Sequence, residues 1–206
     1  MIDLAAWRAL WIELGARQPD EALHQRLVAC WSEKHRRYHT LQHLLEIFEL
    51  FVQVRTDARR PAEIGLALWF HDAFYDPRRE DNEERSAEWA RDSVRQAGLP
   101  EDIAQRVYEL VMATRHEALP TDPDAQLLVD IDLAILGAER ARFEQSDAQV
   151  REEFAHVAEP EYRRGRKQVL RGFLDRPRLY STDRFHAMLE SRARENLQRS
   201  LDRLQG

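Results

Sequence analysis

Four residues with side chains that can bind metals or carry protons lie among apolar neighbours in this sequence. They are His43, the adjacent pair His71-Asp72, and Asp132. An unpaired carboxylate in a buried position costs on the order of several kcal/mol, so a cation, a set of hydrogen bonds or a metal ion must satisfy each acid. Two imidazoles and two carboxylates form a mixed nitrogen and oxygen donor set. This set suits one divalent ion of Mn, Fe, Co, Ni, Zn or Mg and no soft thiophilic metal.

Four protein ligands do not fill an octahedral shell, so water or a substrate oxygen can occupy the remaining positions. Open positions of this kind are typical of a catalytic metal site. The alternative for the dyad and Asp132 is a buried network of ion pairs with Arg or Lys that only fixes the positions of helices.

The elements that must position these residues are helices. The chain has seven glycines, is rich in Leu, Ala, Glu and Arg, and spaces its apolar residues three and four apart, while no segment alternates as a strand. These features predict an all-α fold of about ten helices. Without repeats or a Gly/Ser linker, residues 1–206 are expected to form a single domain. Its metal-site core would span about 38–137, with C-terminal helices 139–205 packed on it.

Local signals place the first ligands within this fold. Thr40 is predicted to cap a helix that has His43 in its first turn. Pro61 fits the first turn of the next helix, which is predicted to carry His71 and Asp72 and to end near Asp76.

The sequence D-A-Q-L-L-V-D-I-D-L-A-I-L-G predicts a further helix with two acids on different faces. Asp132 shares a face with Leu128 and Ile135, whereas Asp130 lies beside Gln126. Asp132 is therefore predicted to point inward.

The overall charge and composition exclude several classes of protein. A net charge of −6 argues against a binder of nucleic acid polymers or of anionic membranes. The single cysteine, Cys30, allows no internal disulfide and fits a reducing compartment. Charged residues interrupt the N-terminal apolar segment, and no run of about 18 apolar residues occurs. The expected location is the cytoplasm.

The spacing of these residues resembles that of a known family, the HD-domain metal-dependent phosphohydrolases. His43, His71-Asp72 and Asp132 match the H…HD…D signature, and the R-x-Y-H-x-x-x-H, N-E-E-R-S and D-I-D-L-A-I-L-G segments extend the match over Tyr38 to Gly137. The chain looks most like the largely uncharacterised members of this all-helical superfamily.

The resemblance implies that His43, His71, Asp72 and Asp132 bind one divalent metal and that the reaction is hydrolysis of a phosphate ester or anhydride. The substrate would be a small molecule, with a nucleotide as the default. Ala73 and Phe74 stand where alarmone hydrolases have an acidic pair, and the G-Y-P motif of cyclic-di-GMP phosphodiesterases is absent. Both of those substrates are therefore disfavoured.

Several further residues are candidates for catalysis or for substrate binding. Nearby carboxylates can orient the water or protonate the leaving group, and cationic or histidine side chains can contact the substrate. The alternatives are that His39 is only a helix cap or a surface residue, that His116 is only a cation at a helix C-terminus, and that the basic residues between Tyr162 and Arg178 form a solvated helix face. The catalytic candidates are Asp72, Asp76, Glu83 and Glu84, and the substrate-binding candidates are Arg36, His39, His116, Arg163 and Lys167.

Two other functions remain open from the sequence. The same scaffold can bind a nucleotide as a sensor and report to a partner without turnover, or the chain can be a helical interaction protein with no ligand. The long terminal helix, with leucines such as Leu189 and Leu197, can pack on the core or on a second copy in a homodimer.

Overall fold

A computed structural model of the chain describes residues 2–205, which form ten α-helices, three short 3₁₀ segments and no strand. The prediction of an all-α fold of about ten helices is therefore confirmed. Within residues 2–205, none of the helices combines the length and apolar content that a membrane crossing requires. The helices are α1 Leu4–Glu13, α2 Glu21–Trp31, α3 Leu41–Val54, α4 Pro61–Phe70, α5 Asn82–Gln96, α6 Glu101–Met112, α7 Pro123–Asp132, α8 Arg140–Glu153, α9 Glu159–Leu174 and α10 Asp183–Gln205.

Local sequence signals define where several of these helices begin. The side chains of Asp3, Asp20 and Thr40 each accept a hydrogen bond from a backbone N–H in the first turn of α1, α2 and α3. Such caps satisfy N–H groups that have no partner inside the helix. Pro61 occupies the first turn of α4, as predicted.

The chain divides into two compact units, residues 1–131 and 132–206. The boundary falls in the last turn of α7, so Asp132 is the final residue of a helix whose other residues belong to the first unit. The expectation that the whole chain forms a single domain stays a prediction.

The first unit is built around α4. Every residue from Ala62 to Phe70 is buried, and α4 contacts α1, α3, α5 and α6. Burial on all sides explains why this helix is almost continuously apolar rather than amphipathic. It also gives the residue that follows α4, His71, a fixed position in the interior.

One carboxylate fastens α7 to α4. Asp124, at the start of α7, is buried and accepts hydrogen bonds from the backbone N–H groups of Arg59 at 2.8 Å and Arg60 at 2.9 Å, where α4 begins. Both helices are 10 residues long, or about 15 Å. These two bonds join the N-terminal ends of the helices, and Asp132 lies at the other end of α7.

The dyad itself lies outside the helix that was predicted to carry it. α4 ends at Phe70, and residues 71–81 form turns and irregular backbone instead of a helix to Asp76. The cause is long-range. The Arg36 guanidinium donates to the carbonyls of Asp72 and Ala73, and the Phe74 N–H donates to the Ser86 hydroxyl. These backbone groups are therefore not available for helical hydrogen bonds.

In the second unit, α10 packs against the 3₁₀ segment Leu133–Gly137. Asn196 donates to the carbonyls of Leu136 and Ala138 at 2.9 and 3.0 Å, and the Tyr180 hydroxyl donates to the Leu133 carbonyl at 3.1 Å. These bonds satisfy carbonyls that would be orphaned where the α-helical pattern stops. The backbone immediately after Asp132 is therefore held in place.

Candidate metal centre

Two buried imidazoles converge at the centre of the candidate site. His43 on α3 and His71 at the end of α4 are each 1% exposed, and their Nε2 atoms lie 3.4 Å apart. With metal–nitrogen bonds of about 2.1 Å, two nitrogens at this separation subtend about 110° at a shared ion. The pair therefore has the spacing of two ligands of one metal.

Hydrogen bonds on the far side of each ring orient the two histidines. His71 Nδ1 lies 2.9 Å from the Leu68 carbonyl, and His43 Nδ1 lies 3.2 Å from the Tyr38 hydroxyl. Because a carbonyl can only accept, neutral His71 carries its proton on Nδ1 and directs the lone pair of Nε2 toward His43. Such a partner on the second nitrogen is the usual arrangement for a metal-binding histidine.

Asp132 completes a group of three. One ligand atom from each of His43, His71 and Asp132 lies within 4.8 Å of the other two. Asp132 is partly buried, whereas Asp130 is fully buried, so the expectation that Asp130 lies on a less buried face is wrong. The reason is that Leu127–Ile131 is buried on all sides, so helical position alone does not distinguish the two acids.

Asp72 lies beside this group and is not one of its three members. Its Oδ2 is 3.1 Å from His71 Nε2. The side chains of His71 and Asp72 are 1% and 14% exposed, so the dyad is largely buried, as expected. Its place as a fourth ligand stays a prediction.

The Trp31 side chain lines the buried side of the two imidazoles. Its ring centroid is 5.3 Å from that of His71 and 6.2 Å from that of His43. The indole N–H donates to the Trp69 carbonyl at 3.0 Å, which fixes the ring plane. A rigid apolar wall of this kind limits how far either imidazole can turn away from the other.

His39 lies on the more exposed side of the site. Its ring stacks on Tyr75 with centroids 4.1 Å apart, and its Nε2 is 4.0 Å from Asp72 Oδ2. His39 is thus close to the dyad, where it can act on the Asp72 carboxylate or on a substrate. Its role in substrate binding stays a prediction.

Arg36, which we expected to bind substrate, is buried in the protein at 2% exposure. Its guanidinium donates to the backbone carbonyls of His39, Asp72 and Ala73 and to the Glu33 carboxylate. No N–H of this side chain is left for a substrate phosphate, so the structure argues against the expected role.

Besides Asp72, three acids are candidates for proton transfer, and the structure separates them. Burial raises the pKa of Glu83 above its ordinary value of 4.5; the Asp72 charge raises it further, while the charges of Arg115 and His116 oppose the rise. Glu84 is exposed. The Asp76 carboxylate accepts from the Arg78 N–H at 3.0 Å in a local turn. Glu83 therefore fits an acid–base role best.

The loop that contains His116 has an unusual backbone conformation. His116 has φ 57°, the only left-handed non-glycine residue between residues 2 and 205. The preceding Arg115 is ion-paired with Glu117 at 3.0 Å. His116 follows the 3₁₀ segment Ala113–Arg115, and a left-handed residue is common where a helical segment ends. This agrees with the alternative that His116 ends a helix, and its contact with a substrate stays a prediction.

Arg163 and Lys167 belong to α9 in the second unit. Arg163 donates to the carbonyl of Leu204 at 2.7 Å and is 3.8 Å from Glu159. A cation at the carbonyl end of α10 has a helix-capping role of its own. The suggestion that these two side chains bind phosphate stays a prediction.

Sequence patterns missed several residues that shape the site. Trp31 belongs to no motif, so no signal identified it. Ser86 ends the N-E-E-R-S segment, but nothing in that segment indicated a bond to the Phe74 N–H. Tyr38 is part of the R-x-Y-H segment, and its position five residues before His43 could have indicated a partner for that imidazole.

Comparisons with known proteins identify no relative of this chain. It matches no protein-family model, and neither the curated proteins nor the solved structures give a significant match.

Proposed function

We propose that this chain is a metal-dependent phosphohydrolase of the HD type that acts on a nucleotide or on another small phosphate ester or anhydride. The observation that carries the proposal is the convergence of His43, His71 and Asp132, with ligand atoms within 4.8 Å of one another. These are three of the four positions that the H…HD…D signature assigns to metal ligands. The fourth, Asp72, lies next to them.

The donor set supports hydrolysis better than a purely structural metal site. Structural zinc sites use four tightly bound ligands, commonly with thiolates, whereas this group contains no cysteine and three close ligands. A divalent ion bound there would polarise a phosphoryl oxygen and lower the pKa of a coordinated water.

The protein groups around the three ligands suit the remaining tasks. Asp72, whose side chain is 14% exposed, would accept a hydrogen bond from the attacking water and orient it. His39, 4.0 Å away, would hold the Asp72 carboxylate in place. Partial burial raises the pKa of Glu83, which favours the protonated form of this carboxyl. Glu83 would therefore donate its proton to the leaving oxygen.

Phosphate recognition would come from the side of the site that is open to solvent. Arg115 is about one third exposed in its side chain and precedes the left-handed His116. A guanidinium matches two phosphate oxygens, and both residues act electrostatically on Glu83. We assign Arg115 and His116 to contacts with the substrate phosphate.

The test is the release of phosphate and pyrophosphate from a panel of nucleotides and sugar phosphates in the presence of Mn²⁺. Wild-type protein is compared with Asp132→Ala and with His156→Ala, which removes an exposed histidine of the second unit. Both variants are purified identically, so a contaminating phosphatase would appear in all three preparations.

The proposal predicts turnover of at least one substrate class by wild type and His156→Ala, and none by Asp132→Ala. Equal turnover in all three preparations would indicate contamination and would contradict the proposal. Thermal stabilisation by a nucleotide without any product would instead favour the sensor function.

A further inference from the structure

The Arg36 guanidinium joins the two segments that carry the histidine ligands. Nη1 donates to the His39 carbonyl at 3.3 Å and to the Asp72 carbonyl at 2.7 Å, and Nη2 donates to the Ala73 carbonyl at 2.9 Å. The first carbonyl lies just before α3, and the other two follow His71. One planar side chain therefore sets the distance between these segments.

All of the donors of Arg36 are used in this way. Nε lies 3.0 Å and Nη2 lies 2.9 Å from the Glu33 carboxylate. With the three carbonyls, each of the five N–H groups of the guanidinium therefore faces a protein acceptor. Its carbon lies 5.6 Å from the Trp31 ring centroid and 5.4 Å from that of Tyr75. The rings on either side keep the guanidinium in one plane.

The turn that Arg36 holds is a short segment that follows the last residue of α4. The Ala73 N–H donates to the Phe70 carbonyl at 2.8 Å, and the Phe74 N–H donates to the Ser86 hydroxyl at 3.0 Å. The direction of the Asp72 side chain follows the orientation of this short backbone. Without the fork of Arg36, the two carbonyls would be buried or nearly buried without their donor.

We propose that Arg36 is a positioning residue that sets the geometry of the metal centre by fixing the His71-Asp72 turn against the segment before α3. The inference rests on the proposed function, because it concerns the same metal centre. Arg36 acts through backbone carbonyls and does not contact the substrate. Lysine cannot replace it, because a single ammonium lacks the planar fork that reaches both carbonyls and the carboxylate.

The test compares Arg36→Lys with Arg106→Lys. Arg106 is a matched control because it forms a two-point pair with the buried Glu63, both contacts at 2.8 Å, and does not contact the dyad turn. Mn²⁺ affinity is measured by equilibrium dialysis, and the geometry of the site is followed by the absorption spectrum of Co²⁺-loaded protein. Loss of a residue that orients metal ligands costs about 10–100-fold in metal affinity.

We expect Arg36→Lys to lose affinity in this range with an altered Co²⁺ spectrum. Arg106→Lys is expected to lower the melting temperature while leaving affinity and spectrum unchanged. If Arg36→Lys does not fold, Glu33→Gln replaces it, since Glu33 is partly exposed and its carboxylate orients the guanidinium. A folded Arg36→Lys or Glu33→Gln protein with wild-type affinity and spectrum would overturn the proposal.

A metal-free readout separates this inference from the proposed function. The Ala73 N–H, which donates to the Phe70 carbonyl inside the turn that Arg36 holds, should give a slowly exchanging proton resonance in metal-free wild type and in Arg106→Lys, and Arg36→Lys or Glu33→Gln should lose it. A wild type that binds no metal would contradict the proposed function. Persistence of the resonance in the variants would contradict the role of Arg36, with or without metal.

Discussion

The Nε2 atoms of His43 and His71 lie 3.4 Å apart in the protein interior, although 28 residues separate the two histidines along the chain. The His71 Nδ1–H bond to the Leu68 carbonyl leaves Nε2 of this ring as an acceptor. Asp72 Oδ2 also lies 3.1 Å from His71 Nε2, so a carboxylate stands beside the two facing nitrogens. A divalent cation bound there would accept both nitrogen lone pairs beside a negative charge.

Replacement of Glu83 by glutamine should stabilise the protein and impair catalysis. Because burial raises the Glu83 pKa, the folded state binds more protons than the unfolded state above pH 4.5. The penalty for ionising Glu83 therefore grows as the pH rises through its folded-state pKa, and glutamine removes it. We expect metal-free Glu83→Gln to melt about 1–4 °C above wild type at pH 7.5, with the difference shrinking toward pH 4.

The neighbouring acid provides the control for that prediction. Glu84 is exposed, so Glu84→Gln should leave both the melting temperature and its pH dependence close to wild type. If Glu83 is the proton donor, Glu83→Gln should also lose about 10²–10⁴ in kcat. The decisive quantity is the difference in melting temperature between Glu83→Gln and wild type. If that difference is no larger at pH 7.5 than at pH 4, burial does not raise the Glu83 pKa.

Removal of the Asp124 carboxylate should weaken metal binding from a distance. Asp124→Ala leaves the N–H groups of Arg59 and Arg60 without their acceptor and releases the start of α7 from α4. We expect a loss of about 1–3 kcal/mol in the free energy of unfolding. Since α7 carries Asp132 at its other end, Mn²⁺ affinity should fall by about tenfold.

Asp122→Ala is the matched control for this change. The Asp122 carboxylate accepts from the N–H groups of Asp124 and Ala125, so it caps α7 itself without reaching α4. Its removal should cost about 1 kcal/mol and leave Mn²⁺ affinity unchanged. Equal effects of the two variants on affinity, measured by titration of chelator-treated protein, would show that the link to α4 is not what positions Asp132.

Gly137 is expected to tolerate no side chain. A Cβ atom at this position would lie 2.7 Å from Leu189 Cβ and 3.0 Å from the Leu189 carbonyl, and neither can move without shifting α10. Gly137→Ala should therefore cost about 1–3 kcal/mol. Gly165 lies within α9 with open space around it, so Gly165→Ala should instead add about 0.5–1 kcal/mol. Urea denaturation of both variants checks the opposite signs.

Much of the fold follows directly from the sequence. The caps at Asp20 and Thr40 and the proline at the start of α4 are local signals, and the helices begin where those signals lie. The inward positions of His43 and His71 follow from their apolar neighbours. These features depend on residues within one or two turns of each other, which is the range over which sequence patterns carry information.

The errors arose where distant groups compete for the backbone. Arg36 and Ser86 take hydrogen-bonding groups that a longer α4 would need, and no local signal marks that competition. The burial of Asp130 was also not predictable from the sequence. Leu127–Ile131 is buried on all sides, so the spacing of its apolar residues does not distinguish a buried face from an exposed one. Arg36 lies next to the first histidines in the sequence, which made it a candidate for phosphate binding although its guanidinium is enclosed by protein acceptors.

The most direct test of the metal centre is Mn²⁺ binding by chelator-treated protein, measured by equilibrium dialysis on wild type, His71→Ala and His156→Ala. We predict about one ion per chain for wild type and for the exposed-histidine control, and loss of high-affinity binding in His71→Ala because Nε2 supplies one of the three converging ligand atoms. Wild-type protein that binds no divalent ion, or His71→Ala protein that binds it as tightly as wild type, would contradict the account.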